Sequence, residues 1–89
     1  MVPGMTAAET PEHITRTRMV TARAVLQGQA DLRTYPYRLL AVVSHHGLGG
    51  DKVSEAVAAA EVLGQFGWDL VNVSEFASNK IVYAFMRKR

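Results

Sequence analysis

The stretch Leu63-Gly64-Gln65-Phe66-Gly67-Trp68-Asp69-Leu70-Val71-Asn72-Val73 constrains this chain more than any other. Upstream of it, Val53, Ala56, Val57, Ala60 and Leu63 recur at helical spacing, and the alanines favour that state. Downstream, residues 68–75 have the apolar content of a strand. A helix over 52–66 therefore stops on a glycine, and the chain turns at once into a sheet. With Gly67 at C′, free to take a left-handed conformation, Trp68 becomes C″ and Leu63 becomes C3. Those two positions touch in a Schellman stop.

The flanking segments extend this unit on both sides. Residues 37–45 predict a strand, since Leu39 to Val43 form a continuous apolar run and Pro36 suits a strand entry. His46-Gly47-Leu48-Gly49-Gly50 is then a loop, with Asp51 a good N-cap. Phe76-Ala77-Ser78-Asn79 makes a turn in which Asn79 tolerates positive φ, and 80–87 is a third strand. A right-handed crossover makes the first two strands parallel, and the tight turn makes the last two antiparallel. The third strand is apolar on both sides, with Ile81, Tyr83 and Phe85 one way and Val82, Ala84 and Met86 the other, which favours placing it in the middle.

Upstream, Thr10-Pro11-Glu12 is a helix-start signal: a hydroxyl N-cap, a proline in the first turn, then an acid. Ile14, Met19, Ala22, Val25 and Leu26 fall in one helical arc, with Glu12 and Arg16 at i,i+4 spacing opposite. They predict a helix over 12–29 ending near Gly28, although Thr15, Thr17 and Thr21 are poor helix formers and Arg18 intrudes on the apolar side. The expected organisation is a flexible leader (1–9), an N-terminal helix and connector (10–36), and a β-α-β-β domain (37–89). The fold class is α+β, with a three-stranded sheet and one helix on one face.

That inventory leaves a sheet face uncovered. One face packs on the helix; the other carries large apolar side chains drawn from Leu40, Val42, Val71, Val73, Val82 and Met86, or from their alternates. At roughly 1.5–3 kcal/mol each, exposing four or more would forfeit about a small domain's whole stability. The N-terminal helix, a second subunit, or both must cover them. Leu40, Val42, Val71, Val73, Val82 and Met86 are thus the expected partner interface, in a homodimer or larger homo-oligomer or against another protein.

Composition narrows the rest. At 89 residues there is room for one domain, and small domains need help from staples, metals or association. Without cysteine, neither disulfides nor thiolate–metal sites supply that help. The pI of about 9.3 suggests a polyanion partner, yet the formal net charge is only +2. No apolar run approaches the ~20 residues that span a bilayer, and no secretory signal opens the chain, so a cytoplasmic protein without membrane contact is expected. Plentiful alanine, and arginine in excess of lysine, suggest a GC-rich bacterial source.

Leu63 to Val73, followed by a hairpin into Tyr83-Ala84-Phe85-Met86-Arg87, resembles a family of small bacterial proteins known as domain of unknown function four-one-seven-seven. The resemblance covers roughly 37–89 and implies the same β-α-β-β unit. It brings no activity, cofactor or catalytic residue. Asp69 stands where that family usually has glutamate, and the N-terminal segment lies outside its pattern.

Candidate chemistry is thin. His45 and His46 are adjacent on a strand end and point to opposite faces, and His13 is a poor third ligand, so no metal is expected. Gly47-Leu48-Gly49-Gly50-Asp51-Lys52 lacks the spacing of a phosphate loop and puts a carboxylate where the anion would sit. There is no G-x-S-x-G turn, and Glu55 and Glu61 lie on different sides of their helix, so no enzyme and no cofactor are expected. Arg16, Arg18 and Arg23, with Arg33, Arg38, Tyr35 and Tyr37, form the best nucleic-acid candidate, diluted by Glu9, Glu12 and Asp31. The expected function is a non-enzymatic interaction or scaffolding module that self-associates through its sheet; the alternative is a nucleic-acid-associated regulator using Arg16, Arg18 and Arg23.

Overall fold

The computed structural model describes residues 9–45, 51–76 and 80–89. In chain order they form α1 (Pro11–Thr17), β1 (Met19–Thr21), α2 (Ala22–Leu26), β2 (Leu39–Ser44), α3 (Asp51–Gly64), β3 (Trp68–Phe76) and β4 (Ile81–Lys88). The class is α+β, but the sheet has four strands rather than three, in the order β1-β2-β4-β3. β4 lies antiparallel between β2 and β3, as its two apolar sides require. The additional strand, β1, pairs parallel with β2 and comes from the segment expected to be helical.

The N-terminal helix begins as expected and then breaks. The Thr10 hydroxyl accepts from the His13 N–H at 3.2 Å, with Pro11 in the first turn and Glu12 behind it. Arg16 turns to His13 at 3.1 Å instead of pairing with Glu12. The Thr17 hydroxyl donates back to the His13 carbonyl at 2.9 Å, a bond that competes with helical backbone pairing. Arg18 then takes a left-handed conformation, φ 60°, and ends the helix. Met19 to Thr21 run extended, and the Thr21 hydroxyl caps α2 by accepting from the Ala24 N–H at 3.1 Å. The threonines that weaken a continuous helix are thus the atoms that end one and start the next.

Both glycine stops contain a surprise. At Gly28 (φ 73°) the Gln29 N–H donates to the Ala24 carbonyl at 2.9 Å and the Gly28 N–H to Val25 at 3.2 Å, a complete Schellman motif. At Gly67 (φ 95°) the left-handed turn is present, but α3 ends earlier, at Gly64. The Leu63 carbonyl is taken by the Phe66 N–H at 2.9 Å, so the exit is a tight 3₁₀-type turn and not the expected Schellman bond from Trp68. Arg89 secures this end by donating to the Gly64 carbonyl at 2.7 Å and pairing with Asp69.

Asp51 is the first residue of α3 rather than its cap. The expected loop at 46–50, His46 included, and Asn79 in the expected turn lie outside the described residues. Lys80 takes the positive φ beside that turn, at 56°.

The chain order explains the layering. β1-α2-β2 and β2-α3-β3 both cross over in the same direction along the sheet, and crossovers of one hand travelling one way put both helices on one face. Accordingly α2 packs beside α3, and α3 spans β2, β4 and β3. Beneath them lie Leu40, Val42, Val82, Ala84, Met86 and Trp68, with Val20 of β1 and the buried α3 stripe Ala56, Ala59, Ala60 and Leu63. Val53 and Val57, expected in that stripe, are exposed. Among the described helices and strands α1 packs against β1 alone, and it is anchored by Ile14, which is fully buried.

Candidate interaction surfaces

The alternation of β2 and β4 settles which face is open. Leu40, Val42, Val82 and Met86, expected at a partner interface, are each at most 2% exposed and form the core under the helices. Val73 is half-buried against the same core. Leu40, Val42, Val82 and Met86 cannot meet a partner while the domain is folded, and Val73 lies on their side of the sheet. The reason is one of parity: even-numbered positions of β2 and β4 face the helices, so the odd-numbered ones face away. Val71 alone of the expected set is exposed, at 54%, because β3 slips its register between Leu70 and Asn72 and leaves Val71 as a bulge at the sheet edge.

The open face is therefore built from the alternates. β4 contributes Ile81, Tyr83 and Phe85; β2 contributes Leu39, Ala41 and Val43; β1 adds Met19 opposite Ala41. The Tyr83 and Phe85 rings stack with centroids 6.0 Å apart and planes 8° from parallel. No described helix packs on β4 from this side. α1 walls the β1 edge, leaving a depression of about 240 Å³ between His13, Thr17, Met19, Val43 and Tyr83. The alternation of β4 is visible in the sequence; the parity that decides which set faces the helices is not.

A second, polar surface lies between α1 and the connector before β2. Pro11, Glu12, Thr15, Arg16, Arg18, Thr34 and Tyr37 line a groove of about 430 Å³. The Arg18 guanidinium lies 3.8 Å from the centre of the Tyr37 ring, and Tyr37 meets Tyr35 edge-on at 5.6 Å. A left-handed backbone at a residue other than glycine costs about 1–2 kcal/mol, so Arg18 holds this place at some expense. Tyr35 is buried, donates to the Leu39 carbonyl at 2.6 Å, and has its phenol pushed above the usual range by that burial.

Of the three arginines expected to act together, the fold unites Arg16 and Arg18 and separates Arg23. Arg23 pairs with Glu55 at 3.3 Å, and Glu55 in turn accepts from the buried Ser44 hydroxyl at 3.4 Å, tying α2, α3 and β2 together. The juxtaposition of Arg18 with Tyr37 had no sequence signal, since it depends on the left-handed turn at Arg18 itself. His45 is exposed at the end of β2, and no group of three or more metal-ligating side chains gathers among the described residues. Nor is any helix among them long and apolar enough to cross a membrane. No family model matches the chain, and searches of curated proteins and of solved structures find no significant similarity.

Proposed function

We propose that this chain is a non-enzymatic interaction module that pairs with a second copy of itself through the open face of its sheet. The observation that carries the reading is the parallel Tyr83–Phe85 stack set among Ile81, Val43, Ala41 and Met19, on the side away from both α2 and α3. A sheet with helices on one face and apolar side chains on the other is half of a layered structure. A two-fold pairing of like faces completes it, bringing two sheets about 10 Å apart with their side chains interleaved.

The footprint sets the expected strength. Four strands about 4.8 Å apart and about 20 Å long give a planar area of roughly 400 Å². That is about half the roughly 800 Å² per partner of a standard stable interface, so a weak dimer with a dissociation constant in the micromolar range, toward its upper end, is expected. Sedimentation velocity from about 1 to 100 μM tests it. The expected result is a concentration-dependent dimer that Phe85→Glu abolishes while the circular dichroism spectrum is retained. A wild-type chain that stays monomeric at the highest concentration would refute the reading.

A further inference from the structure

We propose that the end of the sheet where β2 begins and β4 finishes binds single-stranded nucleic acid, independently of self-association. Although the net charge of the chain is only +2, its basic residues are not spread evenly. Ala41 donates to the Arg18 carbonyl at 3.1 Å, Lys88 to the Arg38 carbonyl at 2.7 Å, and Arg87 pairs with Leu39, so the backbones of Arg18, Arg38 and Arg87 reach one end of three adjacent strands, with Arg87 on the open face beside Leu39. The opposite end holds the carboxylates of Glu9, Glu55 and Glu75, the first two bonded to Thr21 and Ser44, alongside Arg23, which is paired with Glu55, and Lys52 and Lys80.

Lys88 and Arg89 also belong to the basic end but are committed. Lys88 donates to the Tyr35 carbonyl at 2.9 Å and Arg89 pairs with Asp69. Arg16, Arg18, Arg38 and Arg87 make no ion pair among the described residues and are exposed. Arg16 and Arg18 line the groove described above, together with the Thr15 and Thr34 hydroxyls, the Tyr37 ring and one carboxylate, Glu12. An arginine held over a tyrosine ring, and in no ion pair, keeps N–H groups available to phosphate oxygens.

The geometry favours a single strand over a duplex. At about 4.8 Å between strands, Arg18 and Arg38 stand close enough, with Arg16 beside the groove, to meet two or three successive phosphates of an extended strand, while Arg87 lies on the open face. No helix of the described residues presents a row of basic side chains to a major groove; α1 offers Arg16 alone.

Fluorescence anisotropy of a labelled, mixed-sequence single-stranded DNA of about 20 nucleotides, titrated with the full chain at several salt concentrations, tests the proposal. Three phosphate contacts, from Arg16, Arg18 and Arg38, predict a slope of log affinity on log salt of about −2. Arg18→Gly keeps the left-handed turn, removes the charge, and should flatten the slope by about 0.7; Arg38→Ala should flatten it by about the same amount. Arg23→Ala, at a paired arginine away from these three, should leave it unchanged. A slope near zero, equal loss in Arg23→Ala, tighter binding of the corresponding duplex, or capture of the chain by phosphatidylserine vesicles in place of DNA would each overturn it. Sedimentation of the same samples reports self-association separately.

Discussion

Neighbouring residues of β4 should respond to truncation in opposite ways. Met86 is 1% exposed and lies beneath α3, whereas Phe85, one residue away, is half-buried on the open face. Met86→Ala removes buried atoms beneath a helix whose stripe of alanines cannot lengthen to fill the space, so a cavity remains and the cost is about 2–5 kcal/mol. A chain of 89 residues has about 4–13 kcal/mol to lose, so this is a large share. Phe85→Ala, in a dilute monomeric sample, removes side-chain area still partly wetted and should cost about 1 kcal/mol. Urea unfolding followed by circular dichroism separates the two: with a slope of about 1–2 kcal/mol/M, Met86→Ala lowers the midpoint by about 2 M and Phe85→Ala by about 0.5–1 M. At higher concentration only Phe85→Ala should lose the extra stability that mass action confers on a dimer. Equal losses from both variants in the monomer would refute the assignment of faces, and with it the open surface.

Three further outcomes follow from local structure. Thr21→Ala removes the α2 cap and the partner of Glu9, and should lower stability by about 1 kcal/mol in the same unfolding assay. Gly28→Ala meets no steric neighbour within 4 Å, so its cost is purely that of a left-handed alanine, about 1 kcal/mol, and should be matched by no change in α3 amide exchange. The Arg33 guanidinium, and then the Arg33 backbone N–H, hold the Asp31 carboxyl down to about 2, so any stability it adds is full above the ordinary carboxylate range and is lost as pH falls through about 2. An NMR titration should place the Asp31 midpoint there and return it toward the ordinary range in Arg33→Ala.

Much of the C-terminal architecture was legible because the signals are local. Gly67 before Trp68, and an apolar strand with two greasy sides, are enough to order β2, β4 and β3. The N-terminal half was not, because propensity favoured one helix while three side-chain hydroxyl bonds, at Thr10, Thr17 and Thr21, together with the turn at Arg18, favour two short ones separated by a strand. That missed strand had a larger effect than its length suggests. It brought α2 onto the same face as α3, so that part of the N-terminal segment packs against the helix layer and not on the other face of the sheet. The interface residues were misassigned for a related reason: a period of two identifies two sets but does not name them. Trp68, buried at the helix exit, could have fixed the parity for β3, but the bulge at Val71 reverses it midway.

β1 pairs with β2 over only three residues, yet it is all that closes that border of the sheet. Were it to peel off, the ladder groups of β2 would be bared along a flat, valine-rich rim, a template on which another chain could zip. Ile14 in its socket and the hydroxyl of Thr10 thus act as a latch: they guard against templated misassembly at a rim that borders both of the surfaces a partner would use.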